Sequence, residues 1–188
     1  LNEALKQTKK LREEGMEVPV AVNLSARSLL DEDFPDHVEG ALRRLQVPPS
    51  SLQFELTEST LVSDPKRALG VLSRLSQMGV KLSIDDFGTG YSSLSYLRRM
   101  PLAELKIDKS FVLNMTVDES DLVIVQSTID LGRNLGLQVV AEGVETADVW
   151  KKLQELGCDY AQGFFHSRPM PGEELMQWLS VMSKGWGL

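Results

Sequence analysis

Cysteine and histidine are scarce in this 188-residue chain: Cys158 stands alone, and His37 and His166 are the only histidines. A single cysteine forbids an intrachain disulfide, and without a positioned histidine a lone thiol reads as a small buried hydrophobe rather than a nucleophile. The same scarcity removes the ligands that zinc prefers. Long hydrophobic runs are missing too, since no stretch approaches the roughly 20 apolar residues of a membrane-spanning helix, and no signal-peptide pattern opens at Leu1. The expectation is a cytoplasmic domain, with any membrane anchor belonging to a larger parent protein. Positive charge is in deficit, 20 Lys and Arg against 27 Asp and Glu for a net charge of -7. That balance argues against binding a nucleic acid polymer, which requires basic patches. An anionic ligand would need bound metal ions to offset the carboxylates.

What is present is ordinary for a globular protein: 42% hydrophobic and 25% charged residues, in a length that fits one domain with a substantial core. Apolar spacing predicts a helix over Asn2 to Glu14 ending at Gly15, then a strand from Val18 to Leu24. The unit recurs. Helices are predicted at Phe34 to Leu45, Pro65 to Met78, Tyr91 to Arg98, Asp118 to Leu135, Ala147 to Leu156 and Glu173 to Met182. Strands are predicted at Leu52 to Leu56, Lys81 to Ile84, Leu105 to Ile107, Gln138 to Ala141 and Tyr160 to Gly163. Pro48-Pro49 reads as a loop rather than a boundary, so residues 1–182 form one domain and 183–188 a frayed tail. Six strands alternating with helices indicate an α/β fold with a parallel sheet covered by helices.

Within that frame, Asp85-Asp86-Phe87-Gly88-Thr89-Gly90 places two adjacent carboxylates where an apolar strand gives way to a Gly-rich loop. A turn alone explains such residues, but carboxylates converging at a strand end also suit hard cations. Asp86-Phe87-Gly88 spells the magnesium-binding triplet of protein kinases; the accompanying His-Arg-Asp loop is absent, since neither histidine begins that triplet.

Almost every predicted strand ends in a polar or charged residue: Asn23, Glu55, Asp85, Lys106, Glu142 and Gln162. A closed parallel barrel brings all such ends to one mouth, whereas an open doubly wound sheet gathers only those at its switch point. The pattern therefore favours a barrel of the TIM type. Carboxylates about 4 Å apart repel by roughly 4 kcal/mol per pair at an effective dielectric near 20. Two divalent cations would turn that repulsion into coordination, and oxygen ligands suit Mg²⁺ or Mn²⁺. Such a centre, with ions about 3.5 to 4 Å apart, activates water for in-line attack on phosphorus. Phosphoester hydrolysis is the leading chemistry. Simpler roles stay open for single residues: Glu58 as a helix-start acid, Asp108 in a turn, Glu145 as a first-turn acid, Lys106 as a counter-charge and Gln162 as a satisfied amide.

Asn23-Leu24-Ser25, Glu55-Leu56-Thr57-Glu58, the Asp85 to Gly90 motif, Leu105-Lys106-Ile107-Asp108, Glu142-Gly143-Val144-Glu145 and Gln162-Gly163 occur in this order. The set resembles the EAL domain of bacterial cyclic-di-GMP phosphodiesterases. The resemblance implies a modified TIM barrel that cleaves cyclic-di-GMP to linear pGpG with two ions of Mg²⁺ or Mn²⁺. It implies Asn23, Glu55, Asp85, Asp86 and Glu142 as metal ligands, with Glu142 also assisting proton transfer and Lys106 holding the attacking water or a phosphate oxygen. Gln162, Asp108, Glu58 and Glu145 would support the site, Glu58 by anchoring the loop from Asp86 to Ser93. A homodimer is implied through that loop and the helix after it, as is a sensory or diguanylate cyclase domain preceding this one in the parent protein.

The Glu-Ala-Leu tripeptide that names the family belongs on an early strand ahead of Asn23. Glu3-Ala4-Leu5 spells it, yet lies in the helical pattern running to Gly15. The expectation is thus about six βα units of an N-terminally truncated eight-unit barrel, a complete one needing roughly 250 residues. Two competing readings are a cyclic-di-GMP-binding regulatory domain without catalysis, and an inactive fragment whose open edges invite a completing partner.

Overall fold

Helix and strand alternate along the computed structural model, which describes residues 1–57, 60, 64–90 and 94–186. The strands are β1 (Val20–Asn23), β2 (Leu52–Thr57), β3 (Lys81–Phe87), β4 (Glu104–Ile107), β5 (Gln138–Glu142) and β6 (Tyr160–Gln162). They form one parallel sheet in strict chain order, β1-β2-β3-β4-β5-β6. The helices are α1 (Asn2–Glu13), α2 (Ala26–Leu29), α3 (Phe34–Leu45), α4 (Pro65–Gln77), α5 (Leu94–Leu97), α6 (Lys109–Val112), α7 (Glu119–Leu135), α8 (Ala147–Leu156) and α9 (Gly172–Trp186). Sequential parallel strands with same-handed crossovers put the returning helices on one face, so the sheet curls away from them into a half-barrel. Among the described residues no helix is long and apolar enough to cross a membrane.

Alternation along the strands decides which face is which. Leu52, Phe54 and Leu56 of β2, Leu82 and Ile84 of β3, Leu105 and Ile107 of β4, and Val139 and Ala141 of β5 are buried. They pack in clusters that include Val71, Leu72 and Leu75 of α4 and Val125 and Ile129 of α7. Burial of each of the larger of these side chains contributes on the order of 1.5–3 kcal/mol. The intervening residues share the concave face: Gln53 and Glu55, Ser83 and Asp85, Glu104 and Lys106, and Glu142. The lining of the half-barrel is therefore largely polar, with Ala21 and Val140 as apolar members, while its outer face is a conventional apolar layer.

Deep in that lining, Gln53 Nε2 donates to Glu104 Oε1 at 2.6 Å. The bond runs diagonally from β2 to β4 across β3, where Lys81 is in register with Gln53 and Ser83 with Glu104. Strands two apart are separated by nearly 10 Å in the sheet, and two long side chains close that gap. The Ser83 hydroxyl is buried and has no hydrogen-bond partner among the described residues.

Helix starts follow from capping. Asp64 accepts from the Arg67 N–H, Asp118 from those of Ser120 and Asp121, and Thr146 from that of Val149. Gly136 and Gly157, both left-handed, close α7 and α8. Four departures from the sequence expectation stand out. Strand β3 continues through Phe87 rather than stopping at Ile84. Two single-turn helices, α2 and α6, were not foreseen; each is started by a side-chain cap, Ser25 or Asp108, and is too short to show periodicity. Helix α5, Leu94–Leu97, stops one residue short of the expected Arg98, and its expected start at Tyr91 lies outside the described residues. Finally, α9 runs on to Trp186 where a frayed tail from Ser183 was expected. A lone glycine such as Gly185 costs a helix only about 1 kcal/mol and does not by itself end one.

Candidate active site

The pairing of β3 with β4 passes from Ile84↔Leu105 to Phe87↔Ile107, so Asp85 and Asp86 together stand opposite Lys106 alone. This is a β-bulge, one extra residue in one strand. Asp86 absorbs it with φ at +54°, a left-handed conformation that Asp tolerates better than most side chains. Adjacent residues of a regular strand point to opposite faces; the bulge cancels that opposition and lets both acids serve the concave face. Local bonds hold the distortion. The Asp86 N–H donates to Asp85 Oδ1 at 3.1 Å, and the Asp86 carbonyl accepts from the Thr89 hydroxyl at 2.8 Å.

Lys106 is the hub of the site. Only 4% exposed, its Nζ lies 2.6 Å from Glu142 Oε1, 2.9 Å from Glu55 Oε1 and 3.2 Å from Asp85 Oδ1. Three carboxylates from three strands thus lie within ion-pair distance of one ammonium, and two of them, Glu142 and Glu55, take its hydrogen bonds. Burial opposes the charge on Lys106, but hydrogen bonds to Glu142 and Glu55 outweigh it and hold the ammonium above the usual lysine range. For Glu142, burial is the largest influence and raises its carboxyl; Lys106 pulls it down, while Asp85 and Glu55 push it up again, and the net shift is upward.

Asp86 belongs to a second contact. Burial raises its carboxyl first, followed by the charges of Asp85 and Asp108. Asp108 goes the other way. Burial pushes it up, but the Ser110 hydroxyl and Ser110 N–H both donate to it and, with further help from Asp86 and Lys109, bring it below the ordinary carboxylate value. Asp108 is thus at once the cap of α6 and the neighbour that favours a protonated Asp86. Ser110 was missed from sequence, although the Asp-x-Ser spacing of a side-chain cap was its available signal.

The remaining expected residues are placed as follows. Asn23 ends β1 in register with Glu55, and Gln162 ends β6 in register with Glu142. Both are exposed at the rim. Glu145 is exposed on the loop before α8 and joins no hydrogen bond or ion pair among the described residues, so the structure does not bring it into the cluster. Glu58 lies outside the described residues. Carboxylate oxygens of Asp85, Asp86 and Glu142 all lie within 4.8 Å of one another. This donor set is all oxygen, with no sulfur or imidazole, and fits a hard divalent cation.

A parallel half-barrel with an acidic cluster toward the C-terminal ends of its strands defines a TIM-barrel-like domain. The chain belongs to the EAL domain family, whose model matches residues 1–169. It is 50% identical over 157 residues to the bifunctional diguanylate cyclase/cyclic di-GMP phosphodiesterase MucR of Pseudomonas aeruginosa, covering 84% of this chain and 23% of MucR. It is 42% identical over 179 residues to the signaling protein YkoW of Bacillus subtilis, covering 95% of this chain and 22% of YkoW. The chain thus spans under a quarter of the length of these curated relatives. Among solved structures, the PaMucR phosphodiesterase in complex with c-di-GMP superposes with a TM-score of 0.88 at 47% identity, over 93% of this chain and 71% of that one. The EAL domain of Mycobacterium smegmatis DcpA gives 0.91 at 38% identity, over 96% and 82%.

Proposed function

We propose that this chain hydrolyses one phosphodiester bond of cyclic-di-GMP to give linear pGpG, using divalent cations held by its acidic cluster. The observation that carries the reading is the convergence of Glu55, Asp85 and Glu142 on Lys106, with the bulge adding Asp86 beside them. Membership of the EAL domain family supports it, as do relatives named as cyclic di-GMP phosphodiesterases and a related structure solved with that ligand.

In this reading Asn23, Glu55, Asp85, Asp86 and Glu142 hold two ions of Mg²⁺ or Mn²⁺, which supply Lewis acidity at phosphorus and lower the pKa of the attacking water. Glu142 would take the proton from that water as general base. Lys106 keeps three ligands in place and donates to a phosphate oxygen or the water once their charge is otherwise neutralised. Asp108 orients Asp86, Gln162 borders the site from β6, and Glu58 supports the loop after β3. Homodimerisation, a preceding sensory or cyclase domain, and a cytoplasmic setting belong to the same proposal.

The test is chromatographic detection of pGpG after incubation with cyclic-di-GMP and Mg²⁺ or Mn²⁺, with Glu142→Gln as control. Turnover in the wild type that falls by at least roughly 10²-fold in the variant is expected for a general base. Equal turnover in the two would remove Glu142 from the role.

A further inference from the structure

Two glycines border the loop that follows Glu142, Gly143 within it and Gly163 packed against it from the end of β6, and each sits where a side chain does not fit. Gly143, the next residue, has φ at +71°, and a Cβ added there would lie 2.6 Å from Lys109 Cβ and 3.3 Å from Lys109 Cα on α6. Gly163, just beyond β6, has no such backbone demand; a Cβ there would overlap the backbone N, C and O of Val144. Between them Val144 is fully buried. Its N–H donates to the Gln162 carbonyl at 3.0 Å, and its own carbonyl accepts from the Phe165 N–H at 2.9 Å.

Gly136 supplies the comparison. Its φ of +72° nearly equals that of Gly143, but nothing lies within 4 Å of an added Cβ, and it serves as the cap of α7. Conformation alone therefore does not distinguish Gly143; the approach of α6 does. Lys109 also lies three residues from Lys106 on the same β4-to-α6 segment, so a displacement of this contact is delivered to both ends of the 2.6 Å Lys106–Glu142 pair.

We infer that Gly143 and Gly163 are positioning residues for Glu142: they let the loop after β5 seat between α6 and the turn after β6, and that seat sets the distance from Glu142 to Lys106. The inference rests on the phosphodiesterase reading only in its kinetic arm. Misplacement of a reacting group by about 1 Å costs on the order of 10²-fold in rate.

The experiment compares wild type, Gly143→Ala, Gly163→Ala, Gly136→Ala and the double variant Gly143→Ala/Lys109→Gly. Two readouts are taken: kcat and KM for cyclic-di-GMP with Mn²⁺, and the NMR signal of the Lys106 ammonium, whose protons exchange slowly when buried among carboxylates. The expected result is a loss of roughly 10²-fold in kcat with KM little changed for Gly143→Ala and Gly163→Ala. Their Lys106 signal shifts or broadens, while Gly136→Ala matches wild type in both readouts. Lys109→Gly removes the nearest contact and should restore the Lys106 signal of Gly143→Ala. Wild-type kcat and an unmoved Lys106 signal in folded Gly143→Ala would overturn the inference. Should Gly143→Ala fail to fold, the double variant decides: recovery of fold and signal supports the seat, and continued failure makes the left-handed backbone the sole requirement and overturns it. If the wild type shows no turnover, the phosphodiesterase reading fails, and the Lys106 signal alone still judges the positioning.

Discussion

Replacing Lys106 with Met would remove the charge that three carboxylates share while keeping most of the buried stem. Glu55, Asp85 and Glu142 have side chains only 15–17% exposed, so water cannot take over the role of the ammonium. Breaking a buried ion pair from one side typically costs about 3–5 kcal/mol, because the partner is left uncompensated. Three partners are stranded here, and protonation of one of them caps the loss near that range. With a urea m-value of roughly 2 kcal/mol/M, the unfolding midpoint in EDTA at pH 8 should fall by about 2 M. The pH of the assay matters in a defined direction. A lysine raised above its ordinary 10.5 contributes stability that is complete below that value and declines only as pH rises through the higher folded pKa. The wild-type advantage is therefore fully present at pH 8. Saturating Mg²⁺ or Mn²⁺ should return part of the loss, about 2.7 kcal/mol at 100 times Kd. Equal midpoints for wild type and variant in EDTA would refute the claim that this ammonium holds the cluster together.

Three other outcomes are expected. Ser83→Ala removes a buried hydroxyl without a hydrogen-bond partner among the described residues and should raise stability by about 1 kcal/mol or more in urea unfolding; a clear fall would mean the hydroxyl is bonded in solution. Mn²⁺ affinity, followed by calorimetry, should weaken as pH falls, and earlier than for ordinary carboxylates, because Asp86 and Glu142 both hold protons to higher pH than usual; a pH profile no different from that of unperturbed carboxylates would contradict this. Burial pushes the Cys158 thiol up to about 11, so alkylation by iodoacetamide at pH 8 should run roughly a hundredfold slower than in the urea-unfolded chain, since each unit of pKa is a tenfold change in thiolate.

Legibility in the sequence tracked how local each signal was. Helices α3 and α8 were readable to the residue, because apolar spacing and terminating residues sit inside the segments themselves. The strand-end acids were readable because polar residues interrupt otherwise apolar runs. The bulge was not, because a register shift is a property of two strands paired, and neither Ile84–Phe87 nor Leu105–Ile107 encodes it alone. The sharing of Lys106 among three acids was hidden for the same reason. Sequence alternation set its side, but only the curl of the sheet sets its reach. Single-turn α6 and its Asp108–Ser110 cap fell below any periodicity.

The extra residue in β3 has a consequence for how this protein can change. Removing one aspartate would let Ile84 and Phe87 meet Leu105 and Ile107 with a single residue between them on each strand, and would relieve a non-glycine residue of a left-handed backbone costing about 1–2 kcal/mol. The sheet would become more regular as the acidic pair was lost. Scaffold and acidic pair are therefore separable by one codon, and a descendant that gives up one aspartate has a downhill route that leaves the half-barrel intact.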